Sequence, residues 1–177
     1  MRRPKSLKIT LCALFAALTA VLSQILVPIG PVPINMATFA VFCAGALLGS
    51  KLGALSIAIW VLLGAVGVPV YTMMRSGPAA LFGPTGGFII GFMPAAFIIG
   101  LIVEKFNGNN KIHIHAIAML AGATTYFILG TAWFMYSTNT GLLEALGICV
   151  FPFIPGDLLK IAAAAMLVMH LRLRLHI

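Results

Sequence analysis

Six apolar runs, each near the length that crosses a bilayer, leave this chain few ways to fold. They cover about 7–27, 34–49, 52–70, 85–103, 113–136 and 155–172, separated by breaks rich in glycine, proline or charge. A spanning helix needs about 20 consecutive apolar residues, whereas a barrel strand needs only about 10 alternating ones. Charged residues make up 8% of the 177-residue chain and hydrophobic ones 62%, against about 25% charged in a soluble domain. So little charge cannot cover a water-facing surface. The expected fold is all-α and integral to the membrane: six transmembrane helices forming a single domain over 1–177, with the lipid bilayer as its solvent.

The basic residues give the orientation. Arg2, Arg3, Lys5 and Lys8 lie before or at the very start of the first run, and Lys51 lies between the second and third. Lys105 and Lys111 lie between the fourth and fifth, and Arg172 and Arg174 close the sixth. With six spans all of these fall on one side, which the positive-inside rule makes cytoplasmic, and both termini with it. The expected location is the cell membrane. The net charge of +8 is accounted for by topology, so no nucleic-acid partner is expected. The basic start followed by Ile9–Val27 resembles a signal peptide, but its apolar part is longer than a signal core and reads as a retained first span. Cys12, Cys43 and Cys149 lie in apolar runs without a CxxC spacing, and no metal site is indicated.

Against this background the ionisable residues stand out. The chain has three acidic residues, Glu104, Glu144 and Asp157. Asp157 sits three residues before Lys160 in Phe151–Lys160, an otherwise apolar run. Pro155 suits the first turn of a helix, which puts both side chains on one face near the outer end. The pair has two readings: a mutual ion pair, or a pair left partly open for a polar ligand. Arg75, in the outer loop between the third and fourth runs, is either a solvated cation or a bidentate carboxylate binder. Asn35 and Thr38, after two prolines, are helix-capping residues or cavity lining. Tyr71 and Thr85 lie near outer helix ends, where tyrosine is ordinary. Ala13/Ala17 and Ala16/Ala20 in the first run, Gly45/Gly49/Gly53 in the second and Gly83/Gly87/Gly91/Ala95 in the fourth repeat every four residues. Such spacing lets helices approach closely. No phosphate loop, HExxH or GxSxG is present, so no enzyme is expected.

Several stretches together resemble the BioY family, the biotin-binding S components of energy-coupling factor (ECF) transporters. They are GPVPI (30–34), TFAVFCAGALLGSKLG (38–53), LLGAVGVPVY (62–71), FGPTGGFIIGF (82–92) and PGDLLK (155–160). They occur in family order across nearly the whole chain. The resemblance implies an S-component fold, biotin as the transported ligand with no cofactor, and three partner chains: a transmembrane coupling subunit and two cytoplasmic ATPases. It gives Ala13 and Ala17 a second reading, as the docking face for the coupling subunit. The substrate-binding residues it points to are Asp157, Lys160, Arg75, Asn35, Thr38, Tyr71 and Thr85. On this reading Asp157, assisted by Asn35, accepts from the ureido N–H groups. Lys160 or Arg75 meets the carbonyl or carboxylate, and the loop Tyr71–Gly83 closes over the ligand. The chain departs from the family pattern at Asn35 and Ala37 in VPINMAT and in the loop TMMRSGPAAL. The alternatives are an S component for another small vitamin or carboxylate, or a non-transport membrane interaction subunit.

The topology is directly testable. Single cysteines placed beside Lys51, Lys105 and Lys111 should react with a membrane-impermeant maleimide only in inside-out vesicles. One placed beside Arg75 should react only in right-side-out cells.

Overall fold

A computed structural model describes residues 5–27, 32–106 and 111–175. Arg2, Arg3, Pro28–Pro31, Asn107–Asn110 and His176 lie outside the described residues. The helices are α1 (Lys5–Leu22), α2 (Ala37–Leu48), α3 (Ser50–Ala65), α4 (Pro78–Phe82), α5 (Gly86–Lys105), α6 (Ile112–Thr138), α7 (Leu142–Cys149) and α8 (Ile154–Leu175). Each of the six apolar runs yields one main helix. α4 and α7 are short pieces inside two of the expected loops. α5, α6 and α8 are long and apolar enough to cross a membrane, while α1, α2 and α3 are shorter apolar helices.

The fold is mostly helical, as expected, with one short strand pair besides. Strands β1 (Leu26–Val27) and β2 (Ile34–Asn35) pair antiparallel, with Leu26 opposite Asn35. The prolines between them cannot supply helical N–H groups, so the chain enters α2 extended. α2 therefore begins at Ala37, later than its apolar run. With 12 residues it rises only about 18 Å. α3 likewise ends early, at Ala65, because Gly67 takes a left-handed φ of 103° and Pro69 follows.

α2 and α3 are separated by Gly49 alone, whose φ is 85°. A side chain there would be strained and would collide with Glu104. Glu104, on α5, accepts hydrogen bonds from the Ser50 backbone N–H and hydroxyl, both at 2.8 Å. It thereby caps the start of α3 with a carboxylate. At the same end of the bundle Arg172 on α8 donates to the Ala46 carbonyl near the end of α2.

The core is built on close backbone approach. A methyl group on Gly45 would lie 2.6 Å from the Ala96 carbonyl oxygen and 2.8 Å from Ile99 Cβ. Gly53 packs on the backbone of Ala44 and Gly45, and Gly91 on Tyr126. The glycine series of the second and fourth runs therefore packs the bundle internally, as their spacing suggested. α1 divides differently: Cys12, Phe15, Ala16 and Thr19 are buried, while Ala13 and Ala17 face outward.

Gly45→Ala should lower stability by about 1–3 kcal/mol through overpacking. Gly147→Ala, where nothing lies within 4 Å, should leave the melting temperature of the detergent-solubilised protein unchanged or slightly raised.

Candidate binding cavity

The polar residues singled out in the sequence gather at one end of the bundle. α2, α5 and α8 begin there, α3 ends there, and the chain between Tyr71 and Thr85 crosses it. The cavity they enclose measures about 350 Å³, inside the range of roughly 300–1,000 Å³ usual for small-molecule sites. Asn35, Thr38, Tyr71, Arg75, Thr85, Asp157 and Lys160, all singled out in the sequence, line this one cavity. Trp60, Phe88, Phe92, Tyr126, Phe127 and Phe153 supply aromatic walls. Phe92 and Tyr126 meet edge to face, with ring centroids 5.3 Å apart, a favoured geometry for aromatic pairs.

The acid and base form a buried pair. Asp157 is 3% exposed and Lys160 8%, and Lys160 Nζ lies 2.8 Å from Asp157 Oδ1. Lys160 also donates to the Asn35 carbonyl at 2.7 Å and to Thr38 Oγ1 at 3.0 Å. An ammonium has three donors, so every one is engaged. Thr38 in turn donates to Asp157 Oδ1 at 3.4 Å, and the Tyr126 hydroxyl donates to Oδ2. A carboxylate offers about four lone-pair positions. Tyr126, Lys160 and Thr38 fill three, leaving one acceptor position on a residue that lines the cavity.

Arg75 contrasts with Lys160. It lies on the rim, exposed, and among the described residues its guanidinium has no hydrogen-bond or ion-pair partner. Its loop is a tight turn. The Tyr71 N–H donates to the Arg75 carbonyl at 3.1 Å, and Met73 and Met74 sit at left-handed φ of 61° and 55°. Asn35 Nδ2 donates to Thr72 Oγ1 at 2.7 Å, tying the turn to β2. The Asn35 side-chain oxygen accepts from the Ala37 N–H at 3.0 Å, from one residue ahead of the α2 N-cap, Met36, which has no side-chain cap bond; Thr38 lies inside α2, so neither residue is the N-cap.

Tyr71 turns out to be an anchor. Its hydroxyl donates to the Val61 carbonyl at 2.5 Å, and its ring stands edge-on to Trp60 at 5.2 Å. Burial pushes its phenol up to about 12, so it remains a neutral donor at physiological pH. Its contribution to the cavity is a wall. Tyr126 and Trp60 were missed in the sequence because an aromatic inside an apolar run reads as core. The available signal was a phenol midway along a spanning segment, where its hydroxyl requires a partner.

A cavity with aromatic walls, a shielded acid–base pair and a guanidinium unpartnered among the described residues is suited to a small polar-ended solute, and it is set in a bundle with three helices long and apolar enough to cross a membrane. The comparisons with known proteins narrow this. The chain belongs to the BioY family, whose model matches residues 1–176. It is 41% identical over 163 residues to the "Probable biotin transporter BioY" of Pyrococcus horikoshii, covering 92% of this chain and 94% of that one. It is 35% identical to the "Biotin transporter BioY" of Thermotoga maritima, with 90% and 92% covered. Its fold superposes with a TM-score of 0.89 on the S-component for biotin from an ECF-type ABC transporter, at 29% identity, covering 97% and 95% of the two chains.

The buried pair predicts an asymmetry in stability. Asp157→Ala alone strands a buried ammonium and should cost about 3–5 kcal/mol. Asp157→Ala with Lys160→Met should be less destabilised than that single variant. A double variant as unstable as the sum of the singles would show that the two charges do not stabilise each other.

Proposed function

We propose that this chain is the biotin-binding S component of an ECF-type importer in the cell membrane. The observation that carries the reading is the split of charge within one cavity: the Lys160 ammonium is saturated, whereas the Arg75 guanidinium has no partner among the described residues. Of the two cations considered for the carboxylate of biotin, Arg75 is the one with donors to offer. A guanidinium matches a carboxylate with two parallel N–H donors. The open acceptor position on Asp157 then suits a ureido N–H, with Lys160 holding the Asp157 carboxylate in place. The aromatic walls suit the apolar thioether ring and its aliphatic tail.

All six apolar helices cross the membrane in this reading, with both termini cytoplasmic. Lys51, Lys105, Lys111 and Arg172 lie at the helix ends opposite the cavity, which supports that orientation. α2 is much shorter than the roughly 30 Å hydrocarbon core, so the cavity at its start is recessed below the outer surface. The chain binds ligand and performs no catalysis. ATP hydrolysis falls to two cytoplasmic ATPases, connected through a transmembrane coupling subunit. The outward face of α1 carrying Ala13 and Ala17 suits that docking, because Ala16 already serves the bundle interior.

Binding of biotin to the purified protein tests the reading. Arg75→Ala should weaken it by about 10- to 100-fold, the worth of a hydrogen-bonded charge. Asp157→Asn and Lys160→Ala should each weaken it as well. Binding at full strength in all three variants would overturn the assignment.

A further inference from the structure

Gln24 has no place in the cavity lining, yet it grips the turn that presents Arg75. It follows the end of α1. Its amide nitrogen donates to the Tyr71 carbonyl at 2.9 Å, and its amide oxygen accepts from the Met74 N–H at 3.0 Å. One side chain therefore spans both ends of the Thr72–Met74 turn. Ser23 beside it donates to the Val70 carbonyl at 2.7 Å, so the last residues after α1 clasp the chain from 70 to 74.

The turn needs such a clasp. Met73 and Met74 are not glycines, and a left-handed φ is unfavourable for both. The two residues are 57% and 65% exposed, so packing does little to hold them. Before the turn, the chain is rooted by the Tyr71 hydroxyl on Val61 and by the Asn35–Thr72 bond. Beyond Thr72, the Gln24 bond to Met74 is the side-chain hydrogen bond from outside the loop that reaches the residue next to Arg75.

We propose that Gln24 is a positioning residue for ligand binding: its amide holds the 71–75 turn in the strained shape that aims Arg75 at the ligand carboxylate. This rests on the reading of Arg75 as the carboxylate partner. The amide is specifically required. A carboxylate of the same shape keeps the acceptor for Met74 but sets an oxygen against the Tyr71 carbonyl, where a donor is needed.

The test uses full-length protein with Gln24→Ala, Gln24→Glu, Arg75→Ala and the Gln24→Ala/Arg75→Ala double, each checked for an unchanged melting temperature. Two ligands are titrated, biotin and its primary carboxamide. Gln24→Ala should weaken biotin about five- to tenfold while leaving the carboxamide within about twofold. The double variant should bind biotin no more weakly than Arg75→Ala alone, because Gln24 acts through Arg75. Gln24→Glu should be no better than Gln24→Ala. Equal weakening of both ligands, additive losses in the double, or wild-type behaviour of Gln24→Glu would overturn the proposal. Trypsin cleavage after Arg75, identified by mass, reads the turn without any ligand. Gln24→Ala should accelerate it, and an unchanged rate would overturn the clasp. Full-strength biotin binding by Arg75→Ala with accelerated cleavage in Gln24→Ala would instead locate the failure in the carboxylate assignment, overturning the aim at Arg75 while the clasp stands.

Discussion

An ionised carboxylate inside an apolar bundle is the constraint on which the cavity end of this molecule depends. Burying it unpaired would cost several kcal/mol even after relaxation, so its partners must be supplied and held in register. Lys160 comes from the same helix, Thr38 from α2 and Tyr126 from α6. The need to satisfy one acid thus fixes how three helices meet around the cavity: the first turns of α2 and α8 and the middle of α6. Lys160 extends the arrangement to the Asn35 carbonyl, and the Asn35 side chain extends it to Thr72. A polar chain therefore runs from mid-bundle to the turn bearing Arg75.

The two ends of the bundle solve different problems. Opposite the cavity, polar side chains close helix termini: Glu104 caps the start of α3 and Arg172 reaches a carbonyl of α2. Glycine packing such as Gly45 against Ala96 then brings the backbones close where no large side chain could fit. At the cavity end the helices are held apart by aromatic rings, and short extended segments replace helix. This end can take up a solute because its polar groups satisfy one another without filling the space. Among the described residues, the guanidinium on the rim and one acceptor position on Asp157 are polar capacity that no protein group takes up.

Much of this was legible because charge is so scarce in the chain. Asp157, Lys160 and Arg75 stand out in apolar surroundings for the physical reason that makes them matter, since burying a charge is tolerated only where it has a partner or a task. Helix order followed from run lengths and the breaks between them. What remained hidden was carried by ordinary residues in unusual company. Tyr126 reads as core until its hydroxyl is found on Asp157. Gln24 reads as the end of a span until its amide is found bridging a distant turn. Whether Lys160 was free could not be judged either, because two of its partners, Asn35 and Thr38, lie more than a hundred residues away in sequence. The two-residue strands were illegible because their pairing is long-range and too short for any periodicity.

The most direct test is the structure of the purified protein with biotin bound. The account predicts the carboxylate seated on the Arg75 guanidinium, the ureido N–H on Asp157, and the Asp157–Lys160–Tyr126 contacts intact. A carboxylate paired with Lys160, with Arg75 pointing into solvent, would contradict it.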